Sequence, residues 1–74
     1  MMMTHVEIAF IHADGTQDLG VYEAATIHVQ LKKKKKHREC VGVVTLFNEN
    51  GQETGRMLYS SVVFIRRTQV IGSL

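Results

Sequence analysis

The fold is decided by residues 26–47, which read TIHVQLKKKKKHRECVGVVTLF. Before the lysine run, apolar side chains stand at every second position (Ile27, Val29 and Leu31), which is the period of a β-strand with one buried face. After the run, residues 40–47 are apolar on both faces, as in a strand that is covered on both sides. The pattern predicts two strands joined through a dense positive segment.

That positive segment, called here the basic tract (residues 32–38), is the strongest local signal in the sequence. In a strand, five consecutive lysines would place ammonium groups on both faces, and burying either face would carry a large desolvation cost. We therefore expect a loop, or the exposed tip of a long hairpin. Its candidate binding residues are Lys32, Lys33, Lys34, Lys35, Lys36 and Arg38.

The basic tract divides the chain by charge. Residues 1–31 contain four carboxylates and no Lys or Arg, residues 32–38 carry six positive charges, and residues 39–74 balance three against three. Such a run can bind the phosphates of a nucleic acid, bind an acidic surface of another protein or of a neighbouring copy, or simply solubilise a loop. It contains no aromatic residue, so stacking on unpaired bases gains no support from it.

The other segments also alternate with period two, as at Val6, Ile8 and Phe10. Turn signals stand at residues 14–15 and 50–51, and the second predicts a two-residue type I′ loop with positive φ at both central residues. Segments 36 residues apart resemble one another weakly, which raises the alternative of a duplicated strand–turn–strand–strand unit. We predict an all-β fold: five or six antiparallel strands, built from two hairpins, in a small barrel or twisted sheet that covers residues 1–74 as one domain.

One face of this sheet is expected to form the core. The residues expected to point inward are Val6, Ile8, Phe10, Ile27, Val29, Leu31, Val41, Val43, Leu58, Val62 and Phe64. Val44, Leu46 and Ile65 are then expected on the opposite face. A second apolar face is too large for one small sheet to leave in water, so we expect a homodimer or a larger homo-oligomer, with pairing of edge strands as one route.

Catalytic and metal-binding motifs do not stand out. Structural zinc needs four nitrogen or sulfur ligands, Cys40 is the only cysteine, and the four histidines are scattered along the chain. The carboxylates near residues 14–18 and 49–53 flank turns, where turn chemistry explains them. We therefore expect no enzymatic activity, no bound metal and no cofactor.

No signal peptide is expected in the N-terminal segment. Residues 1–7 contain no Lys or Arg, and the first apolar run, residues 8–11, is too short for a signal peptide or a spanning helix. A cytoplasmic location without membrane contact is expected. The sequence predicts a small binding module whose first candidate ligand is a nucleic-acid backbone; the alternative is a structural or protein-interaction subunit.

Overall fold

The computed structural model describes residues 3–33 and 39–70 of the chain. They form five β-strands: β1 (Thr4–His12), β2 (Gln17–Ala24), β3 (Thr26–Lys33), β4 (Cys40–Phe47) and β5 (Glu53–Val70). Neighbouring strands are antiparallel and form one sheet in the order β2-β1-β5-β4-β3. The predicted all-β class is confirmed. Of the two predicted forms the twisted sheet fits, because β2 and β3 remain the edges of an open sheet.

β5 is long enough to pair with both β4 and β1. Its first half pairs with β4 and its second half pairs with β1. Between them lies Ser61, the one non-glycine residue in the described part of the chain with a positive φ, 59°. At the other end, the edge strands β2 and β3 are joined by Ala25 alone, so the two edges must approach each other there. The sheet therefore curls, with one concave face and one outer face.

The repeat suggested by the sequence is visible in the backbone. β1 and β4 begin 36 residues apart, as do β2 and β5, and Ala25 between β2 and β3 corresponds to Ser61 within β5. β1 pairs with β2 and with the second half of β5, whereas β4 pairs with the first half of β5 and with β3. The first unit is therefore β1, β2 and β3, and the second is β4 with the two halves of β5. The third segment of each unit pairs with the first strand of the other: β3 pairs with β4, and the second half of β5 pairs with β1. The registers of the two units differ by one or two residues, so the twofold symmetry is approximate.

Each hairpin turn contains a glycine in the left-handed region, Gly15 (φ 89°) and Gly51 (φ 79°). The amide of Gly15 donates to the carbonyl of His12, and the amide of Gly51 donates to the carbonyl of Asn48. Asn50 has no positive φ, so the prediction of a two-residue type I′ loop at residues 50–51 is wrong. The turn is one residue longer, and a glycine after Asn or Asp suits either form because both need a positive φ at that position.

The concave faces of the two halves meet in one core. Its buried members are Val6, Ile8, Phe10, Ala24, Ile27, Val44 and Val62. Phe10 of the first unit stacks on Tyr59 of the second, with ring centroids 4.0 Å apart. The hydroxyl group of Tyr59 in turn contacts that of Tyr22. Contacts between the units therefore hold the curl of the sheet closed on its apolar side.

The predicted division of β4 and β5 between the two faces is wrong. Val44 is buried in the core and Leu46 and Ile65 pack against it, although all three were expected on the opposite face. Leu58 and Phe64, expected to point inward, are 66% and 53% exposed on the outer face. A strand that is apolar on both sides gives the period-two pattern no means of choosing a face.

The other core predictions divide into two groups. The concave-face positions predicted for Val6, Ile8, Phe10, Ile27, Val29 and Val62 are confirmed. Leu31 lies on the predicted face, opposite Gly42, but is 42% exposed. The predictions for Val41 and Val43 are wrong, because both lie on the outer face, where Val43 is buried between Gln30 of β3 and Leu58 of β5.

Candidate binding surface

The basic tract begins on the edge strand β3. Lys32 pairs with Val41 and Lys33 with Cys40, and both lysine side chains are exposed. These two are therefore strand residues rather than loop residues. The end of an edge strand leaves both of its faces in water, so the desolvation cost that argued against a strand does not arise. β3 and β4 form a long antiparallel hairpin. The remaining predicted site residues lie outside the described residues: Lys34, Lys35, Lys36 and Arg38.

Four strands reach the same level at this end of the sheet. Lys33 pairs with Cys40, Cys40 with Val62, and Val62 with His12. The start of the basic tract and the first hairpin turn thus lie at the same end of the molecule. Among the described residues, none of the ion pairs uses Lys32 or Lys33.

His12 ties the first hairpin to the bend of β5. Its Nε2 lies 2.7 Å from Oδ2 of Asp18, and its Nδ1 lies 2.7 Å from the backbone oxygen of Ser61. A carboxylate and a carbonyl are both acceptors, so the ring satisfies both when each nitrogen donates, as in the imidazolium. The hydrogen bond to Asp18, followed by the one to Ser61, raises the pKa of His12 above its ordinary value of 6.5.

The same two hydrogen bonds prevent His12 from acting as the base of a catalytic triad. Ser60 and Ser61 line a groove with His12 and Asp18, which are the residue types of a nucleophilic triad. In such a triad one ring nitrogen of the histidine must accept the proton of the serine hydroxyl. Here one nitrogen donates to a backbone carbonyl and the other faces the carboxylate, so neither is available for that step. The two hydrogen bonds of His12 instead hold the bend of β5 at Ser61 against the first hairpin.

Raising the pH is expected to weaken this contact. Because the pKa of His12 is higher in the folded than in the unfolded state, its stabilisation is fully present below pH 6.5 and is lost as the pH rises through the folded-state pKa. Urea midpoints of the wild type measured from about pH 5.5 to 8.5 should therefore fall with rising pH. His12→Asn, which introduces the residue found at the equivalent position 48, should flatten the trend, and His28→Asn should keep it. Equal pH trends in the wild type and His12→Asn would contradict the assignment.

The carboxylate of Asp14 stabilises the first hairpin turn. Its Oδ1 accepts from the backbone amide of Thr16 at 2.9 Å and from the Thr16 hydroxyl at 2.6 Å. These two bonds lower the pKa of Asp14 below its ordinary value. In the second turn Asn48 has a comparable part, because its Oδ1 accepts from the amides of Asn50 and Gln52.

Two open grooves correspond to each other through the 36-residue repeat. Each lies between the bend of one unit, at Ala25 or Ser61, and the hairpin turn of the other. The groove at Ser61 is lined by charged side chains, among them His12 and Asp14, and the groove at Ala25 is lined by more apolar surface, including Phe47. Both are shallow and open to solvent. The groove at Ser61 contains serine, histidine and aspartate, but both ring nitrogens of His12 are already engaged by Asp18 and by the carbonyl of Ser61.

Arg66 and Arg67 do not extend the basic tract. They pair with Ala9 and Ile8 on opposite faces of β5, in the middle of the sheet. Arg66 donates to the side chain of Gln17 at 3.4 Å. These arginines provide matched control positions for the tract.

β2 carries two of the most exposed large apolar side chains among the described residues, although the sequence pattern predicted no site on this strand. Leu19 is 64% exposed and Val21 is 72% exposed. Both lie on the outer face, opposite Ala9 and Glu7 of β1. The signal available in the sequence was the absence of Lys, Arg and Pro from residues 17–24, the residues that usually protect an edge strand.

Within residues 3–33 and 39–70, no three His, Cys, Asp or Glu side chains lie close enough to hold a metal ion together. The described part of the chain also has no helix with the length and apolar character needed to cross a membrane. In comparisons with known proteins, no family model, curated protein or solved structure gives a significant match to this chain.

Proposed function

We propose that this chain is a small non-enzymatic binding module that contacts the phosphate backbone of a nucleic acid through the basic tract. One observation carries the proposal. Lys32 and Lys33 are exposed at the end of an edge strand, and no ion pair among the described residues engages them. The rest of the basic tract follows them directly in the sequence.

Phosphate contacts suit this arrangement. A lysine can neutralise a phosphate without reading a base, and each neutralised phosphate releases condensed counterions. Glu7 and Glu23 lie on β1 and β2, which β5 and β4 separate from β3 in the sheet. Asp18 lies nearer, since it pairs with Phe10 close to the end of the sheet where the basic tract begins. A duplex that approaches the β3 edge meets Lys32 and Lys33 on the outermost strand. Binding of this kind is insensitive to sequence and weakens steeply with salt.

The test is the salt dependence of binding to duplex DNA. With roughly four phosphate contacts, the log–log slope of affinity against salt should be about −3.6, and the dissociation constant at physiological salt should be about 10⁻⁴ to 10⁻⁶ M. Replacing all five lysines, Lys32→Gln through Lys36→Gln, should flatten the slope and weaken binding equally for unrelated sequences. The matched control, Arg66→Gln with Arg67→Gln, should keep most of the slope.

Two results would overturn the proposal. One is a wild type without salt-dependent binding to duplex DNA or RNA at about 50 mM salt, where weak ionic contacts are strongest. The other is a loss of slope in the arginine control that is as large, per charge removed, as the loss in the lysine variant, because binding would then follow net charge rather than the tract. Circular dichroism of both variants checks that the sheet is intact.

A structural or protein-interaction subunit is the second candidate, and a different observation favours it. Leu58, Phe64 and the exposed apolar residues of β2 all lie on the outer face of the sheet. Large exposed apolar side chains on one face are typical of a surface that another protein covers. Under this function the basic tract contacts an acidic protein or keeps the assembly soluble, and the lysine variant should bind the partner without a large salt slope.

A further inference from the structure

The two edges of the sheet differ in their protection against pairing with another strand. β3 ends in Lys32 and Lys33, and lysine on an edge strand is a common way of preventing such pairing. β2 contains no Lys, Arg or Pro, and it pairs with β1 without a register shift. Its two carboxylates, Asp18 and Glu23, lie toward the ends of the strand, and each contacts a histidine of β1, so residues 19–22 at its centre carry no charge. A regular, unprotected edge strand is the structure to which another strand adds most readily.

The apolar surface that a single chain leaves exposed also points to β2. The outer side of β4 does not need a second copy to cover it, because Val43 is 5% exposed and Thr45 is 9% exposed. The two-sided apolar pattern of β4, which suggested an oligomer from the sequence, is therefore satisfied within the chain. Leu19 and Val21 remain in water at the centre of the unprotected edge.

The hydrogen-bond ladder determines which backbone groups of β2 point outward. The pair closest to the turn is bonded, because the amide of His12 donates to the carbonyl of Thr16 at 2.8 Å. Bonded and non-bonded pairs alternate along an antiparallel ladder. Residues 17, 19, 21 and 23 therefore turn their amide and carbonyl groups away from β1, toward the open edge.

We propose that β2 pairs antiparallel with β2 of a second copy of this chain, with Gly20 on the twofold axis. In this register Leu19 lies opposite Val21 of the second copy, and Gln17 lies opposite Glu23. Every outward amide and carbonyl of both strands then has a partner. A shift of two residues in either direction leaves some of them unpaired.

The side chains match in the same register. Leu19 and Val21 of both copies form one apolar stripe on the outer face, which removes them from water. Asp18 lies opposite Tyr22, so no two like charges stand directly opposite each other. β2 is thus complementary to an antiparallel copy of itself in both its backbone groups and its side chains. We therefore name a second copy of this chain as the partner, since an unrelated strand would match both only by chance.

The proposed dimer leaves β3 free at both outer edges of the joined sheet. It is thus independent of the proposed nucleic-acid function, and either can fail alone. Where both hold, the dimer presents two basic tracts to one duplex, and its salt slope should exceed that of a monomeric variant.

Light scattering after size exclusion, at micromolar concentration, tests the dimer. The wild type should have twice the 8.4 kDa mass of one chain. Val21→Lys places a charge on the open edge and should give a monomer with an unchanged circular dichroism spectrum. The control Leu58→Lys changes an equally exposed residue on β5, away from the edge, and should remain a dimer. A monomeric wild type, or dissociation by Leu58→Lys, would overturn the proposal.

Cross-linking tests the register without relying on a destabilising change. In a Cys40→Ser background, Leu19→Cys chains are mixed with Val21→Cys chains and oxidised. Residues opposite each other in a bonded pair have Cα atoms about 5.5 Å apart, within the range that a disulfide spans. The mixed dimer should therefore cross-link in preference to either variant alone. Equal cross-linking in all combinations, or none, would rule out pairing about Gly20.

Discussion

Replacing Phe10 with alanine is expected to lower the free energy of unfolding by about 3–5 kcal/mol. Phe10 is fully buried, stacks on Tyr59 and belongs to the cluster that joins the two units. Removing the ring leaves a cavity that the curled sheet cannot close, because the surrounding backbone is fixed by pairing on both sides. Such a loss is a large share of the roughly 5–15 kcal/mol that holds a small domain folded.

Phe64→Ala is the matched control for this prediction. It removes the same side chain from β5, where Phe64 is 53% exposed on the outer face. The free energy of unfolding, measured by urea denaturation, should change by no more than about 0.5 kcal/mol, as for other surface substitutions. Equal destabilisation by both variants would mean that Phe64 also packs in the core, as the sequence pattern predicted, and that the described register of β5 is wrong.

The sequence carried enough information for the strands of the first unit. Val6, Ile8 and Phe10 alternate with residues that are polar or small, so the buried face follows directly from the period. The turns were located by glycine for a similarly local reason. Gly15 and Gly51 occupy the left-handed region, which side chains other than glycine rarely adopt.

The faces of β4 and β5 depended on information that is not local. Residues 40–47 are apolar on both sides, so either face satisfies the pattern. The choice is made by the curl of the sheet at Ser61 and by register shifts between β4 and β5. Ser61 gives no advance signal of its positive φ, because serine is an ordinary strand-edge or turn residue. The offset of 36 was the clue, since it aligns Ser61 with Ala25, the residue between β2 and β3.

The candidate site was predictable only where it depends on local sequence. Exposure of Lys32 and Lys33 follows from the desolvation cost of lysine and needs no tertiary structure. The bridge from His12 to Ser61 joins residues 49 apart in the chain, so no local pattern contains it. The open edge at β2 required the strand order, which places β2 rather than β1 at the end of the sheet.

Gly42→Ala is expected to destabilise the protein by about 1–3 kcal/mol, although it adds only one methyl group. A Cβ at this position would lie 2.7 and 2.8 Å from two ring carbons of Phe10. The ring cannot move aside, because it is fully buried and stacks on Tyr59. The control Gly55→Ala meets its nearest atom, on Leu46, at 3.7 Å and should change the midpoint little.

A double-mutant cycle identifies the cause of this cost. If the added methyl group of Gly42→Ala acts by pressing on the ring of Phe10, a smaller side chain in the Phe10→Leu background should make room for it. The destabilisation by Gly42→Ala should then be lower in Phe10→Leu than in the wild type, with a coupling free energy of about 0.5–3 kcal/mol. Simple additivity would contradict the contact between β4 and β1, because residues that do not touch behave independently. The cycle therefore tests whether the two units meet at Phe10 and Gly42, the contact on which the curl of the sheet depends.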